Sequence, residues 1–410
     1  MKKSLLNKYA DLIVEKGVNV QKGQDVYIVA DLDQPEFVKT VVEKLYKNGA
    51  RKVVVDFSYQ PITKIGFKKM SLKTLSSLEN YQIEKLRWRA EKLPAHLYLI
   101  SDDPDGLKGV PQEKITKSQI AKYPIIKPFR DQMEGKYQWC IAAVAGKAWA
   151  KKVFPNEKAG KAVEMLWEAI LKCSRVDDDP IAAWDKFNKE IKERCDYLNE
   201  LGLVRLNYKS LNGTDFTVGL NKLGVFHGGF DTTLSGVRFN PNIPSEEIFT
   251  SPKYGDCEGV VYATKPLSYQ GQLIENFSIT FKNGKVSDVK AEKGEELLKQ
   301  MVKMDEGAGM LGECALVPFE SPINMSGILF YETLYDENAC CHLALGRGFP
   351  DCLKGYENMT NEEYHKNGIN NSMIHVDFMI GSRDLSITGI TKDGKVVAIF
   401  KDGTWAVDVK

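Results

Sequence analysis

The sequence predicts an α/β protein in two parts: an N-terminal doubly wound α/β domain over residues 1–201, then an α+β, largely antiparallel domain over residues 202–410. Three observations predict it. A strand, helix and strand pattern runs from Asp25 to Asp56. Beyond Leu201 the texture changes to short strands joined by Asn-Gly and Asp-Gly turns. The length, 410 residues, suits two domains better than one.

The first half opens on an amphipathic helix, with Leu5, Tyr9, Leu12 and Ile13 on one face. Asn7, Lys8 and Asp11 break any signal-peptide core there. Val26 to Ala30 reads as a buried strand. Pro35 opens a helix with Phe37, Val38, Val41, Val42 and Leu45 inward, and Gly49 closes it before the strand Lys52 to Val55. Such a unit implies parallel strands and a right-handed crossover. His96 to Ile100 and Trp139 to Val144 extend the sheet; His96 has no ligand partner at useful spacing. The first strand-to-helix link, Ala30 to Pro35, carries Asp31 and Asp33 and no glycine, so it would repel a pyrophosphate. This half is read as scaffold, without a dinucleotide site.

Two amphipathic helices follow, Lys158 to Lys172 and Pro180 to Leu201. The acidic run Asp177 to Asp179 between them is better explained as a helix N-cap than as a calcium loop. Leu203 to Tyr208, Asp215 to Leu220, Val260 to Thr264 and Phe277 to Phe281 then read as strands. The turns at Asn283-Gly284, Asp393-Gly394 and Asp402-Gly403 mark hairpins.

Composition narrows the class. The formal net charge is +1, from 56 Lys+Arg against 55 Asp+Glu, so no global field recruits nucleic acid or a membrane surface. Eight cysteines lie without metal-binding spacing, mostly in apolar settings, which suits reduced thiols. No stretch approaches the roughly 18 apolar residues of a membrane span. A cytoplasmic protein is expected.

Ligand chemistry concentrates between Glu337 and Gly381. Three of the five histidines lie there, and two of them, His342 and His375, are grouped with Glu337, Asp377 and the nearby Asp384. His375-Val376-Asp377 lies in an apolar run that reads as a strand, so the imidazole and carboxylate share a face. Buried side by side they cost several kcal/mol unless paired or metal-bound. A hydrogen-bonded core pair and a metal site both remain open from this motif alone. His342, five residues after Glu337, is read in a small-residue helical segment, Asn338 to Gly346. Imidazole with carboxylate suits Zn, Mn or Co. Two further acidic sites lie upstream. In Glu246-Glu247, an extended segment allows only one to face a site, leaving the other solvated. Glu313 sits at the mouth of an apolar strand, where an edge charge is the plain alternative.

The segments PSEEIFTSP, LGECALVP, YDENACCHLALG and NNSMIHVDFMIGS, in this order and spacing, closely resemble the aminopeptidase T/aminopeptidase S family of bacterial metalloaminopeptidases. The resemblance is strong over residues 240–390 and weak elsewhere. It implies an N-terminal α/β domain, a C-terminal catalytic domain, a homodimer, peptide substrates with a free N-terminus, and two divalent metal ions per chain, Zn, Co or Mn with Mg as a further option. By motif position the metal ligands would be Glu247, Glu313, Glu337, His342, His375 and Asp377. Glu313 would bridge the ions, and Glu337 would carry the catalytic proton, a role that competes with ligation. One position departs: Phe349 stands where the family has an active-site tyrosine. Phenylalanine cannot donate to a carbonyl oxygen that becomes anionic. The departure implies lower or shifted activity, or a substitute donor such as Arg347, Tyr331 or Tyr356. The other reading is a catalytically weak or inactive relative that keeps the metals for peptide binding or stability.

Overall fold

The computed structural model describes residues 2–407. Parallel and antiparallel sheets coexist in it, divided between two compact units: Met1–Lys186 with Phe230–Pro244, and Phe187–Gly229 with Ser245–Lys410. The sequence suggested one crossing near Leu201. The chain passes between the units three times, because residues 230–244 return to the first unit and add the strand Asn242–Ile243 to its sheet. A two-residue pairing is too short to leave a periodic signature.

The first unit is built on a parallel sheet. Strands β1 (Asp25–Asp31), β2 (Lys52–Ser58), β3 (Ala95–Ile100) and β4 (Trp139–Ala143) lie in the order β2-β1-β3-β4, with Asn242–Ile243 beyond β4. The helix Pro35–Lys47 has proline in its first turn and buries Phe37, Val38, Val41 and Leu45, the single apolar face expected of a helix packed on one side. The strand order reverses between β1 and β3, where open α/β sheets form a crevice. A cavity of about 500 Å³ lies there, lined by Asp31, Asp33, Asp102 and Asp103 together with Lys64, Lys147 and Lys151. His96, on β3, is fully buried against Arg89, Tyr27, Tyr98 and Tyr137.

The second unit contains a nine-stranded antiparallel sheet. It holds Leu203–Lys209 and Asp215–Leu220 close to where the sequence indicated, extends Phe277 to Phe281 into Gln272–Lys282, and replaces Val260 to Thr264 by the strand Pro252–Tyr262, which begins earlier and ends before Ala263. Asn283 and Gly284 turn with φ of 52° and 77°, the left-handed pair that Asn-Gly supplies at low cost in a two-residue hairpin. The helix Pro180–Glu200 starts where the acidic run ends, and the Asp179 carboxylate accepts the Ala182 N–H at 3.0 Å. A second, five-stranded antiparallel sheet carries the acidic and imidazole side chains. Among the described residues no helix is long and apolar enough to cross a membrane.

Candidate metal centre

Four strands of the smaller sheet build the site: β5 (Ile248–Thr250), β6 (Leu311–Leu316), β7 (His342–Gly346) and β8 (His375–Met379), in the order β8-β7-β6-β5. Glu247 immediately precedes β5, and Glu313 is central in β6. His342 opens β7, and His375 and Asp377 lie on β8. Glu337 ends the short helix Thr333–Glu337. The expected helix from Asn338 to Gly346 is not formed: His342–Gly346 is a fully buried strand between β6 and β8. Its period-two alternation was masked because both faces are buried.

The register explains the convergence. Ala344 stands opposite both Glu313 and Asp377, Gly346 opposite His375, and Ala315 opposite His342. Opposed residues share a face, so Glu313, His342, His375 and Asp377 project together from one side. Only Ala315, Ala344 and Gly346 stand between them, and these small residues leave the space open. Gly346 is required twice over: its φ is +101°, and a Cβ there would meet the Ile374 carbonyl oxygen at 2.1 Å. The other face, with Cys314, Leu343 and Phe378, is apolar and buried.

The contacts form two groups with one shared member. His342 Nε2 lies 3.1 Å from Glu247 Oε2, and His375 Nε2 lies 3.0 Å from Glu313 Oε2 and 3.3 Å from Asp377 Oδ1. Ligand atoms of Glu247, Glu313 and His342 all fall within 4.8 Å of one another, as do those of Glu313, His375 and Asp377. Glu337 joins them beside Asp377, to which its carboxyl is hydrogen-bonded. Both imidazoles are fixed by backbone carbonyls, His342 Nδ1 by Cys340 at 3.2 Å and His375 Nδ1 by Arg347 at 2.7 Å. Each Nδ1 donates to its carbonyl, which directs Nε2 at the carboxylates: protonated it donates to them, and deprotonated it is free to ligate a cation.

Without a cation this cluster is electrostatically frustrated. Burial raises Glu313 to about 7, and burial together with Asp377, Glu247 and Glu313 holds Glu337 well above the carboxylate range. Burial disfavours imidazolium, yet Glu247 raises His342 to about 9; Asp377 and Glu313 raise His375 likewise. Burial would raise Asp377 too, but His375 outweighs it and holds Asp377 at about 2. Asp377 Oδ1 is buried and, apart from His375 Nε2 at 3.3 Å, has no partner, an acceptor with capacity left for a metal ion. The donor set fits divalent ions: four carboxylates bring four negative charges, and two imidazole nitrogens are already oriented.

Two expectations change. Glu246, read as solvated, is buried, and its backbone N–H donates to Asn338 Oδ1 at 2.7 Å. Asp384 does not join the cluster; its carboxylate accepts from Leu211 N–H at 2.6 Å and from the Ser210 and Ser382 hydroxyls. Sequence reasoning missed Asn338 and the two carbonyls that orient the histidines, since a carbonyl carries no residue identity. Of the substitute donors named for the absent tyrosine, Arg347 reaches the site through its backbone oxygen.

A buried cluster of carboxylates and oriented imidazoles on a mixed α/β scaffold suits a metalloenzyme. The chain matches the family model described as thermophilic metalloprotease (M29) over residues 2–405, and it belongs to that family. It is 42% identical over 403 residues to aminopeptidase AmpS of Bacillus subtilis, covering 98% of each chain. It is 37% identical over 407 residues to aminopeptidase T of Thermus aquaticus, again covering 98% of each. The solved structure of wild-type AmpT from Thermus thermophilus superposes with a TM-score of 0.90 at 36% identity, covering 99% of this chain and 100% of that one. The chain is therefore a metallo-aminopeptidase, and the resemblance read from its motifs holds over its whole length. These relatives favour hydrolysis over the binding-only alternative.

Proposed function

We propose that this protein removes N-terminal residues from peptides at a two-metal centre, with Glu247, Glu313, Glu337, His342, His375 and Asp377 as ligands and Glu313 as the bridge. The observation that carries it is the pair of three-residue groups that share Glu313. When bound by these residues, two divalent ions would supply a water of lowered pKa and polarise the scissile carbonyl. The chain's own residues supply the rest. The Cys340 and Arg347 carbonyls keep both histidines in the ligating tautomer. Glu337 has two competing roles, ligand or carrier of a proton from water to the leaving amine; in the second its carboxyl is not a ligand. With Glu337 ligating, four carboxylate charges would balance two doubly charged ions in the buried site.

Zn, Co and Mn suit this donor set, with Mg a weaker fit because two imidazoles are present. A homodimer and a cytoplasmic location complete the reading. Light scattering of the purified protein tests the first, and cell fractionation the second. The deciding experiment is hydrolysis of an aminoacyl-p-nitroanilide: a strong chelator abolishes it, and Zn²⁺, Co²⁺ or Mn²⁺ restores it with two ions bound per chain. Turnover that survives removal of all metal would end the proposal.

A further inference from the structure

Asn338 follows Glu337 directly and is fully buried. Its side chain joins two ligand-bearing segments that are remote in sequence. Oδ1 accepts the Glu246 N–H at 2.7 Å, and so fixes the backbone next to Glu247. Nδ2 donates to Glu337 Oε1 at 3.3 Å and to the Leu334 carbonyl at 2.9 Å, which ties the Glu337 carboxylate to its own helix. The Asn338 carbonyl in turn accepts the Ser321 hydroxyl at 2.6 Å. Glu247 and Glu337 both lie outside the regular ladder: one precedes β5, and the other ends a five-residue helix. Strand pairing fixes Glu313, His342, His375 and Asp377 but does not reach these two. Asn338 supplies the missing constraint.

We infer that Asn338 is a positioning residue for the metal centre, holding Glu247 and Glu337 at ligating distance from the strand-borne ligands. The inference rests on the two-metal reading above. A primary amide suits the task because it is acceptor and donor at once and carries no charge into an anionic cluster. Outer partners of this kind commonly set metal affinity by about 10–100-fold.

The test is Zn²⁺ affinity, measured by competition with a chromophoric chelator on metal-free protein. Asn338→Ala, with circular dichroism matching the parent, is expected to bind about 10–100-fold more weakly. Asn338→Ser, which leaves a hydroxyl in the buried space, reads the same quantity if the alanine variant does not fold, and is expected to weaken binding in the same direction. A general packing role would lower the melting temperature of the metal-free protein and leave affinity unchanged. Folded variants that bind Zn²⁺ as tightly as the parent overturn the inference while the two-metal reading stands. A parent that binds no divalent ion overturns both.

Discussion

The ring of Phe349 lies 4.8 Å from that of His375, centroid to centroid, tilted by 48°. Phe249 meets its other side at 5.5 Å, and the Phe349 N–H donates to Ser251 Oγ at 2.7 Å, so the ring is fixed against the site. A hydroxyl added to this ring enters a position that is already constrained. Phe349→Tyr is expected to raise kcat on an aminoacyl-p-nitroanilide, by up to on the order of 10²–10³, the usual worth of one oxyanion donor. KM should change little. A kcat at or below the parent's would show that another group already meets the developing charge.

The shared position of Glu313 separates its loss from that of any other ligand. Glu313→Gln removes a carboxylate from both groups at once and should leave the protein close to metal-free, with hydrolysis at background. Glu247→Gln touches one group and should retain close to one ion per chain. Metal content by plasma emission spectroscopy decides between them. Two ions retained in Glu313→Gln would remove it as the bridge.

The alternation of His375 and Asp377 around Val376 made their shared face legible in the sequence, because period two survives in a short strand. His342 was expected in a helix and lies in a strand. Ala344 and Gly346 beside it are small, and small residues look helical or neutral in a buried strand. The βαβ start was legible because the helix Pro35–Lys47 buries one face only. The return of residues 230–244 to the parallel sheet was not, since two residues of pairing leave no pattern. Asn338 was invisible for a different reason: its partners at Glu246 and Leu334 are backbone groups.

His96 gives the first unit an acid sensitivity of defined sign. Burial, reinforced by the Arg89 guanidinium 3.1 Å from Nδ1, lowers its pKa to about 3, and Tyr27, Tyr98 and Tyr137 complete its surroundings. The unfolded chain takes this proton near 6.5. Between the two values the unfolded state binds more protons, so stability falls as pH drops through that window. At pH 5 the cost is about 2 kcal/mol, from about 1.5 pH units at 1.36 kcal/mol each. Urea unfolding at pH 7 and pH 5 should show the parent losing about that much more than His96→Gln. Equal losses would mean that His96 is protonated in the folded protein.

Ala344 offers a test of the space between the ligands that leaves every ligand intact. It faces Glu313 on one side and Asp377 on the other, and directly opposed side chains in such a ladder have Cβ atoms about 4.5–5.5 Å apart. A larger side chain at Ala344 therefore projects between the two groups that share Glu313. Ala344→Leu is expected to lower Zn²⁺ affinity at least about tenfold, a loss in the range seen when the surroundings of ligands are disturbed. Hydrolysis should fall with it at sub-saturating metal. The metal-free protein should lose about 1–3 kcal/mol, the usual cost of added volume at a buried position, and circular dichroism checks that it stays folded. Ala344→Gly keeps the space and should keep the affinity. If Ala344→Leu binds two ions as tightly as the parent, the ions do not lie on this face of the sheet, and the ligand set must be sought elsewhere.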